Sequence, residues 1–140
     1  MQKNKAYNIK EVTDRIQSFC ALQDRCQWEV EKKMREWGVE EDIIKNILTD
    51  LILEKFIDEQ RFSQSFCRGK FRIKRWGKLK IKNELKIRKI STSCINKGLD
   101  QILDKEYYSV LKELYEKKKN SLKDKNQFIQ KGKIIKYLQQ

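Results

Sequence analysis

Residues 28–52, WEVEKKMREWGVEEDIIKNILTDLI, and residues 79–103, LKIKNELKIRKISTSCINKGLDQIL, carry one apolar register 51 positions apart. Trp28 falls on Leu79, Val30 on Ile81, Met34 on Leu85 and Val39 on Ile90. Ile44 then falls on Ile95, Leu48 on Leu99, Leu51 on Ile102 and Ile52 on Leu103. Eight apolar pairs in fixed register exceed what chance gives a chain that is 39% hydrophobic. A period of about 50 residues marks a tandem array of supersecondary units. Within each copy the spacing is helical, so the unit is three short helices.

Working outward, Val12, Ile16, Phe19 and Cys20 outline a helix over 9–23. A polar break at Gln23-Asp24-Arg25 leads to a second helix over 27–37, with Gly38 placed where a helix ends in the left-handed region. A third helix covers 40–55. Asp58 and Ser91 are suited to cap later helices. The sequence therefore divides into a first unit over 1–56, a second over 57–104 and a third over 105–140. The third begins with Tyr107, Tyr108, Leu111, Leu114 and Tyr115, continues through Phe128, Ile134, Ile135 and Leu138, and is expected to be incomplete, with two helices. The fold class is all-α, an elongated array in which each unit packs mainly on its neighbour. The competing expectation is one compact helical bundle.

Composition agrees with long helices and narrows the chemistry. The 140 residues contain no proline and five glycines. No run approaches the roughly 18 apolar residues that span a bilayer, so no membrane partner is expected. MQKNKAYNIKEV lacks the apolar segment of a signal peptide. Cys20, Cys26, Cys67 and Cys94 form no C-x-x-C pair, and histidine is absent, so reduced thiols in a cytoplasmic core are expected and neither metal nor cofactor is implied. Without histidine, Ser-His, Cys-His and His-metal catalysis are excluded, and no glycine-rich phosphate loop is present. The acidic clusters Glu40-Glu41-Asp42 and Asp58-Glu59 precede apolar-periodic runs, where carboxylates favour helix N-termini. The expectation is a protein that is not an enzyme.

Charge is concentrated. Residues 66–90 hold eleven Lys or Arg against the single acid Glu84, a local +10 within a chain total of +13. Residues 1–65 sum to −2 and residues 91–140 to +5. Such a segment needs solvation, salt or an acidic partner. Phe62, Phe66, Gly69 and Ile73 follow at helical spacing and form an expected packing stripe. Arg61, Arg68, Arg72 and Arg75, separated by seven, four and three residues, form a second stripe on the same helix. With Lys78 and Lys82 these arginines are the candidate residues for binding a partner or DNA, because the guanidinium fork suits phosphate and carboxylate. Trp76 could stack on a base, but core packing is the favoured reading for a tryptophan closing a helix. No side-chain pattern for reading bases is present.

These residues carry a family resemblance. Phe56-Ile57-Asp58-Glu59-Gln60-Arg61-Phe62, then Phe66, Arg68, Trp76-Gly77, Ile81, Glu84-Leu85 and Ile90, resemble the RecX family of recombination regulators. That family places an aromatic and aliphatic pair before an acidic turn, arginine and an aromatic after it, and a Gly-x-x-basic-Ile-x-x-Glu-Leu run on the next helix. Residues Met34 to Ile57 are similar to its first helix pair, so the likeness covers essentially the whole chain. Lys89 stands where the family usually has glycine, and Lys78 where proline is frequent.

The resemblance implies a curved, elongated body of three three-helix units that lies in the groove of the RecA–DNA filament. It implies a non-enzymatic regulator that restrains recombinase and ATPase activity, acting as a monomer in the cytoplasm. Two other classes compete with it. A sequence-independent DNA-binding module would bind single or double strands without RecA and weaken steeply with salt. An adaptor would bind an unrelated acidic protein.

Overall fold

A computed structural model describes residues 8–121 and 127–139. Eight helices and no strand occur among the described residues. They are α1 (Ile9–Leu22), α2 (Gln27–Glu36), α3 (Glu41–Leu53), α4 (Glu59–Arg72), α5 (Lys78–Ile87), α6 (Thr92–Leu99), α7 (Asp104–Ser121) and α8 (Gln127–Leu138). The chain is all-α. Phe128, expected among the apolar positions of the third unit, has its side chain outside the described residues.

Local chemistry sets the helix starts. Asn8 Oδ1 accepts from Lys10 N at 2.8 Å to open α1, and Asp58 Oδ1 accepts from Arg61 N at 2.9 Å to open α4. Ser91 Oγ accepts from Cys94 N at 3.2 Å at the head of α6. Each satisfies a backbone donor that a helix leaves without an internal partner. The acidic cluster at 40–42 also serves a helix start. Glu41 accepts from Arg35 Nε and Nη2, both at 2.9 Å, and that guanidinium holds its carboxyl below the usual range.

The 51-residue register is visible in three dimensions. Shifting α2 by 51 residues gives the bounds of α5. Val30 and Ile81, Met34 and Leu85, Val39 and Ile90, Ile44 and Ile95, and Leu51 and Ile102 are buried as pairs. The relation reaches α1, whose buried Val12, Ile16 and Cys20 correspond to the buried Ser63, Cys67 and Phe71 of α4. Ile52 and Leu103 repeat as an exposed pair, 45% and 65% accessible, so the register is not one of burial alone.

Helix ends repeat too. Val39 N donates to Met34 O and Ile90 N to Leu85 O, both at 3.1 Å, closing α2 and α5 with the same six-residue loop. Gly38 has φ +80° and Lys89, its counterpart, φ +58°. A side chain in this region is disfavoured by about 1–2 kcal/mol. Lys89→Gly should therefore raise stability by up to about 1 kcal/mol, read as a higher urea midpoint with an unchanged slope. A lower midpoint would show that the Lys89 side chain has a compensating contact.

Two buried clusters form instead of one core. The first unites α1, α2 and α3 around Ile16, Val30, Met34, Ile44 and Leu51. The second unites α4, α5 and α6 around Phe71, Ile81, Leu85 and Ile95. Single residues cross between them: Ile57 joins the first cluster, and Cys26 is fully buried in the second. Tyr107 of α7 packs on the second cluster, its ring 5.7 Å from that of Phe71, and its hydroxyl accepts from Lys78 N at 3.2 Å. The architecture is a helical repeat.

The expected packing stripe of α4 is rotated. Ser63, Cys67 and Phe71 face the core together with Phe62, whereas Phe66 and Gly69 are half-buried and Ile73 is 78% exposed. The reason is the closeness of α6. A methyl group on Gly98 would meet Ser63 Oγ, the Ser63 carbonyl oxygen at 2.7 Å and Cys67 Sγ at 2.8 Å. Small residues on α4 let α6 approach, and this leaves Phe66 half-buried and Ile73 on the outer side of the helix.

Candidate partner-binding surface

The predicted arginines are drawn into the fold. Arg61 Nε lies 2.8 Å from Asp24 Oδ1, and its Nη2 donates to the carbonyl oxygens of Lys55 and Phe56 at 3.2 and 3.3 Å. It thereby ties α4 to the α1–α2 connection and to the chain leaving α3. Arg68 Nη1 donates to Gln101 Oε1 at 3.0 Å. Arg72 Nε pairs with Glu106 at 3.2 Å, Arg75 Nη1 with Glu113 at 3.6 Å and Lys78 Nζ with Asp104 at 3.5 Å. Three acids of α7 thus cover three of the six predicted cations. Arg75 lies beyond the end of α4, at φ +59°, so the helical stripe is broken there.

What stays open is lysine. Lys74, Lys80, Lys82, Lys86 and Lys89 have no ion pair among the described residues; the Lys80 ammonium lies over the Trp76 ring, 4.5 Å from its centroid. Of the predicted set, Lys82 belongs to this group. Trp76 is half-buried beside the second cluster, edge-on to Phe66 and flanked by the ammonium groups of Lys70 and Lys80. It is a packing residue with a cationic collar.

Arg88 is the residue that sequence reasoning missed. Its Nη1 lies 3.0 Å from Glu84 Oε1, its Nε 3.6 Å from Glu29 Oε2, and its guanidinium carbon 5.0 Å from the Phe66 centroid. Glu84 one turn earlier is a signal in sequence; Glu29, on the first unit, is not. Arg88 therefore holds the first unit against the second.

Glu59 lies at the same junction and accepts from Gln27 N at 3.2 Å. Burial pushes its carboxyl above the usual range, the Gln27 N–H opposes this, and the charges of Glu29 and Asp58 add to it. An acid whose folded-state pKa is raised binds more protons folded than unfolded. Stability is then lost as pH rises from the ordinary glutamate value near 4.3 through the raised one. Glu59→Gln, which keeps an acceptor for Gln27 N, should be more stable than wild type at pH 7 and should flatten the fall in stability that begins above the ordinary glutamate value. Parallel urea profiles for the two proteins would contradict this.

Cys26 and Cys67 are core thiols. Burial raises the Cys26 thiol to about 12 and the Cys67 thiol to about 11, so both stay protonated and act as small apolar groups. Among the described residues no group of Cys, Asp and Glu is placed to hold a metal ion, and no helix is long and apolar enough to cross a membrane.

Fold and surface together define a class: a helical-repeat protein whose middle unit carries the uncompensated positive charge. Comparison with known proteins finds a likeness: residues 58–99 match the model for the RecX second three-helix domain. The regulatory protein RecX of Geobacillus kaustophilus is 24% identical over 121 residues, which is 86% of this chain and 45% of that protein. The RecX of Geobacillus thermodenitrificans is 26% identical over 81% of this chain and 42% of its own length. The chain thus spans less than half the length of these relatives. The crystal structure of RecX from Lactobacillus salivarius superposes with a TM-score of 0.78 at 25% identity, over 93% of this chain and 84% of that one. A second crystal structure of regulatory protein RecX gives 0.83 at 21% identity, over 93% and 65%. In sequence and in fold the chain is RecX-like.

Proposed function

We propose that this chain is a non-enzymatic regulator of the RecA recombinase that binds the RecA–DNA filament and restrains its ATPase and strand-exchange activity. The observation that supports this most is the lysine set at 74, 80, 82, 86 and 89, which is without ion pairs and sits on the unit that matches the RecX family. Unpaired ammonium groups on a rigid helical frame suit a surface of mixed carboxylate and phosphate. The pairs of Arg72, Arg75 and Lys78 with α7 are partly exposed. Such pairs are worth about 0–1 kcal/mol, so a partner can exchange them at little cost. All six predicted residues, Arg61, Arg68, Arg72, Arg75, Lys78 and Lys82, stay within the proposed contact unit, with Arg61 positioning the unit and not touching the partner. The protein acts in the cytoplasm, where its partner is.

Co-sedimentation with RecA on single-stranded DNA and a nonhydrolysable nucleotide, beside a DNA-only control, tests this reading. Recovery with the filament and not with DNA alone is expected. A second reading, direct DNA binding, is favoured by Trp76 between Lys70 and Lys80, an aromatic ring within a basic collar. Equal recovery with naked DNA would select it and overturn the first.

A further inference from the structure

The outward-turned side of α4 lines a cleft of about 270 Å³ between the two units. Phe62, Phe66, Gly69 and Ile73 supply its apolar part, Lys70, Lys74 and Arg88 its basic part, and Asp24 and Glu29 of the first unit its acidic part. Gly69 is the informative residue. It lies inside a fourteen-residue helix, where glycine is the costly choice. Its φ is not positive, and a methyl group there would meet nothing within 4 Å. Gly98 is required by packing on Ser63 and Gly38 by its backbone conformation. Neither reason applies to Gly69. Gly132 in α8 is equally unconstrained, but Gly69 floors the cleft, where a bare backbone leaves room for close approach by something outside the chain.

Charge selects the visitor. Asp24 is matched by Arg61, and Glu29 by Arg88 and the Cys26 N–H. Lys74 has no ion pair among the described residues, and Lys70 has only aromatic contacts, 5.4 Å from the Phe66 centroid and 4.9 Å from Trp76. A run of phosphates would call for more free cations than Lys70 and Lys74 supply. A peptide need offer only one apolar side chain and a carboxylate beside it.

We propose that this cleft receives a peptide segment of a partner protein, with one aliphatic side chain seated over Gly69 and an adjacent carboxylate on Lys70 and Lys74. The site stands on its own geometry; only its assignment to the protein component of a nucleoprotein filament rests on the function proposed above.

The test is anisotropy of a labelled 12-residue peptide with four glutamates and a central leucine, at 0.15 M salt. The same peptide with alanine for leucine and a 12-nucleotide oligothymidylate serve as comparisons. The leucine peptide should bind about tenfold tighter than the alanine peptide. Gly69→Gln should weaken it about tenfold by filling the seat, without lowering the melting temperature, because the change favours the helix. Lys74→Glu should weaken both peptides. Equal binding of the two peptides, no loss in Gly69→Gln, or displacement of the leucine peptide by the oligonucleotide would overturn the proposal. Wild-type co-sedimentation with the filament is scored separately: its failure with leucine-dependent binding intact removes the filament function, and the converse removes the cleft.

Discussion

Replacing Gly98 by alanine is expected to lower stability by about 3 kcal/mol, at the upper end of what an added methyl group costs in a packed interior. At about 4 °C per kcal/mol for a chain of this length, the melting temperature should fall by roughly 10 °C. The added carbon would meet Ser63 Oγ, the Ser63 carbonyl oxygen and Cys67 Sγ together. A backbone carbonyl cannot step aside as a flexible side chain can, so α6 must move off α4. These two helices make the most intimate contact of the second unit, and Cys67, Ile95 and Phe71 would lose packing with them. The Ser63 hydroxyl is itself fully buried there, against the Cys67 thiol, so little space is left for an added carbon. Ser63→Ala in the Gly98→Ala background should recover part of the loss; the carbonyl contact limits how much. An unchanged melting curve for Gly98→Ala would mean that α4 and α6 do not cross as described.

The second large effect concerns charge. Changing Lys74, Lys80, Lys82 and Lys86 together to glutamine should weaken binding to the RecA filament by about a hundredfold, taking about 0.5–1 kcal/mol for each cation. Helical content should not change, because none of the four is ion-paired within the described residues. Neutralising Arg68 and Arg72 instead should loosen the chain segment after α6 and the docking of α7, since these arginines hold Gln101 and Glu106. The two variants thus separate presented charge from structural charge. Equilibrium titration of labelled filament with each variant, with circular dichroism alongside, distinguishes them. Equal weakening by both would mean that the arginine pairs open when the partner binds.

Much of the fold was legible because burial repeats at fixed spacing. Val30, Met34, Ile44 and Leu51 predict Ile81, Leu85, Ile95 and Ile102, and all eight are buried. Helix caps were legible at Asp58 and Ser91, where one polar side chain acts on its own neighbours. The surface was legible as a sum of charge and much less as a set of residues. Helical spacing puts Arg61 and Arg72 on one stripe, but their partners Asp24 and Glu106 stand 37 and 34 residues away. No local pattern reveals that a cation is already answered at that distance. Arg75 escaped because α4 ends before it. The stripe through Phe66 and Ile73 was assigned to the core because hydrophobicity alone carries no information on which side a second helix approaches. Gly98 decides that, and its meaning appears only once Ser63 lies against it.

The most direct test of the whole account is the rate of DNA-dependent ATP hydrolysis by RecA as this chain is added in increasing amount. The account predicts saturable inhibition whose midpoint moves to higher concentration as salt is raised, since lysine charge drives the encounter. Undiminished hydrolysis at saturating chain, with the helices intact, would contradict it.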